Sequence, residues 1–408
     1  MKKFIMLILF SFLTFLLFAQ VEKHEVTVTN VEVMVRVLDG GRFVDDLKID
    51  DFEVYEEEKP QKIEALYLVK RTNIERKEEL SSFNPQLSRN FFLIFQMIDY
   101  NPKLDEAIDY LISEVLLPND TLSIWTPIDK YNLSAEALKK LPKEKIIKEM
   151  KSILRKDTKI GLMSYNDLLK DLKKLVRAMS SAGGFGQESN VMADVETEST
   201  DQGFSLEFLL PKYRETSQKL DDLRIVDEKT FLRFSEALKR QQGENYVFFF
   251  YQREFRPEIS PSIINKMTSV YQDSPNILSE LQDLFQFYHR NVQFDVNRIK
   301  QAFSDSSFVF NFVFMNKVAE YISGVNMKEQ SEDVFSVLSE AAKATGGIVD
   351  SSQNPAHGFK SGLEASGSYY LLYYSPADYK KDGKFKPIKV KVQNKDYQII
   401  HRLGYYAN

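Results

Sequence analysis

Side chains able to do covalent or metal chemistry are sparse in this chain and widely separated. It contains zero cysteines, which excludes a thiolate nucleophile, a disulfide, a thiolate metal site and a lipid-anchoring cysteine. Its four histidines, His24, His289, His357 and His401, form neither an HExxH helix nor any pair at ligand spacing. No GxSxG elbow and no GxxxxGK[ST] loop is present. The glycine-rich Gly183, Gly184, Phe185 and Gly186 do not lie between a strand pattern and a helix pattern, so they read as loop and not as a phosphate cradle. One strand end remains. The run Phe91 to Tyr100, FFLIFQMIDY, opens with five unbroken apolar residues and turns polar. An amphipathic segment follows, with Leu104, Ala107, Ile108, Leu111, Ile112 and Val115 on one face, so the whole reads as a central parallel strand feeding a helix. Open α/β sheets hold ligands at the carboxyl ends of such strands. The polar groups there are Gln96, Asp99 and Tyr100, and Asp105 reads as a favourable first-turn charge of the helix.

The elements that must position this strand end alternate in type. Pro118, Asn119 and Asp120 read as a turn before a strand at Leu122 to Thr126, whose Trp125 is the only tryptophan and reads as core. Lys143 to Leu154 and Tyr165 to Met179 have helical spacing, Tyr246 to Tyr251 and Phe308 to Phe314 are further apolar strands, and Val334 to Ala344 is a helix. Gly346 and Gly347 sit where that helix would stop, supplying positive φ before a last strand at Ile348 and Val349. This order predicts a mostly parallel sheet with helices on both faces over residues 90–352. Two stretches interrupt it: 183–203, rich in glycine, serine and acid and read as a mobile loop, and 257–307, read as a helical insertion that adds packing.

Period-two patterns flank this block. Residues 20–70 read as a small β module in which Glu56 to Glu58 form a solvated turn, and 71–89 read as a polar linker. Residues 366–408 return to strands, SYYLLYYSP, FKPIKVKVQ and YQIIHRLGYYA, with tyrosine pairs suited to half-buried sheet faces. Such strands need partners, and the two end segments are expected to pair into a β-sandwich-like module.

At 408 residues and 43% hydrophobic, the chain has material for two folded units. Its net charge of -5, from 54 basic and 59 acidic residues, gives no electrostatic case for nucleic acid or an anionic membrane surface. Lys2 and Lys3 precede an apolar run, Phe4 to Phe18, that ends at Ala19. This predicts a secretory signal over residues 1–19 with cleavage before Gln20, although Leu17 is large for its position. A retained anchor is the alternative, and the run is short against the ~20 residues of a bilayer span. The protein is therefore expected to be exported, periplasmic or extracellular, and to meet a membrane only through the signal or an uncleaved anchor.

Three blocks carry a resemblance to a known family. They are VEVMVRVLDGGRFVDDLKIDDFEVYEEEKPQKI (Val31 to Ile63), the strand, helix and PNDTLSIW stretch (Phe91 to Trp125), and AAKATGGIVDSS (Ala341 to Ser352) with YYLLYYSP, DGKFKPIKVKV and HRLGYYA (Tyr369 to Ala407). They resemble bacterial exported proteins with a von Willebrand factor A-related domain. The segments 180–244 and 257–307 are not covered by it. The resemblance implies an α/β fold, a Rossmann-like von Willebrand A-type domain, joined to the β-sandwich-like module. In many relatives the sheet edge binds Mg²⁺ or Ca²⁺ through an Asp-x-Ser-x-Ser loop, a threonine and a second aspartate, since hard cations require several oxygens at fixed distance. Carried onto this sequence, the first aspartate falls on Gln96 and the two serines on Ile98 and Tyr100. The threonine falls near Met163 or Ser164 and the second aspartate near Tyr251 or Gln252. Only Ser164 supplies a suitable oxygen, and Asp99 is the one acid in the right loop.

The site is thus expected to be a degenerate metal-site edge that binds a protein partner through Gln96, Ile98, Asp99, Tyr100, Ser164, Tyr251 and Gln252. No catalytic residue and no cofactor are expected. The function this implies is a non-catalytic scaffold that binds a protein in the cell envelope. An alternative is a Mg²⁺- or Ca²⁺-dependent adhesion module using a rearranged site around Asp99; a third reading is an exported hydrolase.

Overall fold

A computed structural model of the chain describes residues 30–182, 205–223, 228–239, 241, 243–288, 294–306, 308–352, 354–393 and 396–407. The expected signal at 1–19 and the expected mobile loop at 183–203 lie outside the described residues. The fold is mixed α/β with several sheets. Its central sheet is made of β7 (Arg89–Gln96), β8 (Thr121–Trp125), β9 (Lys130–Leu133), β10 (Glu244–Gln252), β12 (Phe308–Met315) and β14 (Val349–Asp350). They lie in the order β14-β12-β10-β7-β8-β9, every neighbouring pair parallel except β8 with β9. Counted within this sheet the order is 3-2-1-4-5-6, a doubly wound arrangement whose direction of growth reverses between β7 and β10. All nine residues of β10 are buried, which is why its sequence, ENYVFFFYQ, is continuously apolar at the centre and does not alternate.

Helices cover both faces. On one lie α1 (Leu104–Tyr110), α3 (Lys143–Gly161) and α11 (Pro355–Ala365), which bury Ile108, Met150, Leu154 and Phe359 against Phe91, Leu93, Phe248 and Phe250. On the other lie α6 (Glu228–Lys239), α9 (Val296–Asp305) and α10 (Glu332–Ala344), which bury Phe231, Phe303, Val334 and Leu338 against Phe249, Phe310 and Phe312. The expected insertion 257–307 is therefore not one unit. Its last helix, α9, is the crossover between β10 and β12 and packs on the sheet. The others, α7 (Pro261–Val270) and α8 (Pro275–Tyr288), join α4 (Met163–Ala182) and α5 (Leu206–Asp222) in a helical cluster of their own. Apolar spacing marks a helix but not which surface it meets.

The first and last segments of the described chain share a second unit. β1 (Val31–Asp39), β5 (Ile63–Lys70), β6 (Asn73–Glu79), β15 (Ser368–Tyr374) and β17 (Gln398–His401) form an antiparallel sheet, with β2 (Arg42–Phe43) on β1. It faces a sheet of β3 (Phe52–Glu56), β4 (Lys59–Gln61), β16 (Phe385–Val392) and β18 (Gly404–Tyr406). Between them Val33, Val35, Leu68, Tyr370 and Leu372 meet Val54, Ile388 and Val390.

Two expectations are corrected in this unit. Residues 73–79, read as linker, form β6, hydrogen-bonded along β5; the charged NIERKEE hides a strand because an edge strand is held by backbone bonds and needs little apolar content. Glu56, read as part of a solvated turn, is buried and its carboxylate accepts hydrogen bonds from the Tyr374 hydroxyl (2.7 Å) and the Tyr405 hydroxyl (3.0 Å). Only Glu57 and Glu58 make the turn, at φ 49° and 62°. The helix-stop pair also divides: Gly346 has φ 73°, whereas a Cβ on Gly347 would stand 1.8 Å from the Phe310 carbonyl oxygen, so the second glycine serves close approach to β12.

Where the two units meet, Glu244 is buried, and burial pushes its pKa from the ordinary 4.5 up to about 8. The Tyr246 hydroxyl lies 2.6 Å from the Glu244 carboxyl and 3.2 Å from the Ser366 carbonyl oxygen. A tyrosine has one proton to give. Both contacts are filled when neutral Glu244 donates to Tyr246 and Tyr246 donates to Ser366, so hydrogen counting agrees with the raised pKa. The folded chain then holds this proton more tightly than the unfolded chain does. Stability from this group is fully present below about pH 4.5 and is lost as pH rises through about 8. Urea unfolding near pH 5 and near pH 9 is expected to show a loss of stability in the parent that is clearly smaller in Glu244→Gln.

Candidate functional site

The doubly wound order leaves a crevice at the carboxyl ends of β7 and β10, where the residues on either side come from strands wound in opposite directions. Register sets what meets there. Tyr251 lies opposite Gln96 on one side and Phe314 on the other, so Gln252 is the first β10 residue to extend past the end of β7. Its side-chain oxygen accepts the backbone N–H groups of Ile98 and Asp99, both at 2.8 Å. Two lone pairs of one amide oxygen are thereby filled, and the loop after β7 is clamped to β10.

The clamp directs the three loop side chains differently. Ile98 is turned inward to the helical cluster, beside Leu162, Tyr165 and Ile259. Asp99 points outward and its carboxylate is ion-paired with Lys317, two residues beyond β12. The Tyr100 hydroxyl donates to Asp105, whose other oxygen receives Arg155, and that guanidinium lies 5.3 Å from the Tyr100 ring centroid. Burial first, and the Asp105 carboxylate second, hold the Tyr100 hydroxyl well above the usual tyrosine range. Asp105 is thus a fixed partner of two side chains as well as a first-turn charge.

Of the seven expected contact residues, the structure brings Ile98, Asp99 and Gln252 together by hydrogen bonds and places Gln96 beside Tyr251 in the sheet. Ile98, Tyr251 and Gln252 are buried and do not face a partner, which corrects their expected role. Tyr251 stacks between Phe249 and Phe314, because strand alternation turns it toward the helices on that face. Ser164 is exposed in the first turn of α4, outside the clamp. The accessible part of the rim instead includes residues that motif comparison missed: half-buried Lys317, and Val318 (81% exposed) and Tyr321 (93% exposed), on the segment leaving β12. Their signal was positional, since NKVAEYISG follows the apolar Phe308 to Met315 run and so must leave the sheet at its ligand-bearing end.

A hard cation does not fit these groups. The Gln252 oxygen is saturated by two N–H donors, Asp99 is neutralised by an ammonium, and Asp105 is shared by a phenol and a guanidinium. Among the described residues there is also no cluster of three or more His, Asp or Glu side chains that could hold a metal. Nor is any helix among them long and apolar enough to cross a membrane.

No protein-family model and no curated protein matches the chain. Among solved structures, the chain is similar to the human COPII-coat protein Sec24c, at 9% identity and a TM-score of 0.27, over 79% of this chain and 44% of that one. The chain thus spans less than half the length of that protein. A likeness this slight carries neither fold nor function.

The clamp is testable by itself. Gln252→Ala leaves two buried amides without their acceptor, and is expected to cost about 1–3 kcal/mol in urea unfolding and to speed hydrogen exchange at Ile98 and Asp99. Gln252→Glu keeps an acceptor in place and should retain slow exchange there.

Proposed function

We propose that this protein is an exported, non-catalytic recognition scaffold of the cell envelope, built on a von Willebrand A-like domain in which a side-chain clamp stands in place of a metal ion. The 3-2-1-4-5-6 strand order with an antiparallel third strand, the resemblance of the strand-end blocks and the signal-like N-terminus support this reading. One observation carries it: the Gln252 side-chain oxygen is spent on the loop amides of Ile98 and Asp99, and Lys317 occupies the one acid of that loop, Asp99, so the oxygens a cation would need are already engaged. The rim is therefore ordered without a cation and can offer a partner only its accessible groups. Those are Asp99 and Lys317 as a charge pair, with Tyr321 as an anchor of a type enriched among interface hot spots and Val318 as apolar surface on the same segment.

Two measurements test the proposal. Titration with Mg²⁺ or Ca²⁺ is expected to give no saturable heat and no rise in melting temperature. A cation binding site at 100 times its Kd would add about 2.7 kcal/mol, an easily visible shift; saturable binding lost in Asp99→Ala would instead establish the metal-dependent adhesion reading. In the second, the chain beginning at Gln20 is immobilised and exposed to envelope proteins. The double variant Val318→Ser, Tyr321→Ala is expected to keep the parent melting temperature and to lose at least about tenfold in bound partner. Undiminished capture by that variant would remove this rim as the recognition surface.

A further inference from the structure

A second feature lies near the same sheet end but on the α6 face. β8 passes into β9 through a hairpin at residues 126–129, closed by the Thr126 N–H bond to the Asp129 carbonyl (2.9 Å). No crossover helix follows β8 to cover that side. α6 leans over it from the β10 side, with Phe234 meeting the edge of Trp125 at 5.3 Å. The space left between them is a cavity of about 260 Å³, lined by Ile94, Trp125, Phe231, Phe234, Phe249 and Phe310. Aromatic walls facing an open space forfeit the dispersion contacts that a closer helix would recover, so the gap is costly to an empty protein.

Four polar side chains border this apolar space, Gln96, Thr126, Lys130 and Thr230, and two of them bear on an anionic ligand. The Gln96 side-chain amide lines the cavity and makes no hydrogen bond among the described residues. The Lys130 ammonium, exposed, sits 3.8 Å from the centroid of the Trp125 ring and forms no ion pair among the described residues. Asp157 forms no ion pair with it among the described residues; the Thr126 and Tyr131 hydroxyls both donate to one oxygen of the Asp157 carboxylate, each at 2.8 Å. A largely apolar pocket with a few convergent polar groups at the strand ends of an open sheet is the usual form of a small-molecule site. With a water's share of volume near 30 Å³, the space suits a flat molecule of about ten non-hydrogen atoms.

We propose that this cavity binds a small aromatic monocarboxylate, its ring among Phe231, Phe234 and Phe249 and its carboxylate paired with Lys130 and hydrogen-bonded by the Gln96 amide. The flat ring suits edge-to-face contact with the aromatic walls, and the single negative charge answers the one ammonium at the mouth. This site is independent of the partner-binding rim: it stands or falls whatever that rim recognises.

The chain has one tryptophan, and it lines the cavity. Titration of the full chain with phenylacetate is expected to change Trp125 emission saturably below about 1 mM, with matching heat by calorimetry. The neutral analogue 2-phenylethanol should bind about tenfold more weakly. Lys130→Met should weaken phenylacetate to that level and leave phenylethanol unchanged, while Ile94→Phe, which fills the space, should abolish both. Lys130 is exposed, so its variant keeps the test decisive even where Ile94→Phe disturbs folding. Absence of saturable emission change and heat in the parent would overturn the proposal. So would phenylacetate binding that survives in folded Ile94→Phe, or equal weakening of both probes by Lys130→Met.

Discussion

The parallel alignment of β10 between β7 and β12 is the constraint on which the rest of the structure depends. It requires a strand with no face to the solvent, and all nine of its residues are buried. It also fixes the lengths by which neighbouring strands overrun one another. Because Tyr251 is level with Gln96, Gln252 stands one step beyond, within reach of the loop amides of Ile98 and Asp99. A slip of one residue would place Tyr251 there and turn the glutamine into the core, since side chains alternate along a strand. The clamp is a consequence of register.

The strength of the clamp lies in its neutral part. Asp99 and Lys317 are both partly exposed, and ion pairs of that kind are worth about 0–1 kcal/mol. The Gln252 bonds are made in a buried, low-dielectric setting, where leaving a partner unpaired costs more than the bond itself contributes in water. A rim ordered in this way does not wait for an ion to arrive. Its recognition chemistry is then limited to what the surface exposes, and the exposed groups lie on the segment after β12 beside Asp99.

The sandwich and the α/β layers meet through polar groups as well as packing. Tyr246 reaches from β10 to the Ser366 carbonyl just before β15, the Leu403 N–H bonds to the Ala344 carbonyl at the end of α10, and the Tyr406 N–H bonds to Asp305 at the end of α9. The last strands of the chain are thus tied to helices of the α/β unit while pairing with its first strands. Both the neutral state of Glu244 and the burial of Glu56 belong to this arrangement: each carboxyl group taken out of water is hydrogen-bonded to tyrosine, Glu244 giving its proton to the Tyr246 hydroxyl and Glu56 accepting from the Tyr374 and Tyr405 hydroxyls.

What the amino-acid sequence determined by itself was the kind of element and its periodicity. Runs such as FFLIF, YVFFFY and FVFNFVF are apolar on both faces, as a strand covered on both sides requires, and the stripe from Leu104 to Val115 marks a helix one face of which is buried. Composition also sufficed to remove thiol chemistry. What only the tertiary structure decided was where each polar or ambiguous residue looks. NIERKEE became a strand because β5 offered backbone partners, Glu56 was buried by two tyrosines more than 300 positions away, and Ile98 and Tyr251 were enclosed by the helices around the strand ends. Lys317 came to neutralise Asp99 across 218 positions of chain. Local sequence encodes the period of burial, a property of neighbours along the backbone; partners distant in the chain are chosen by register and packing, which exist only once the sheet has formed.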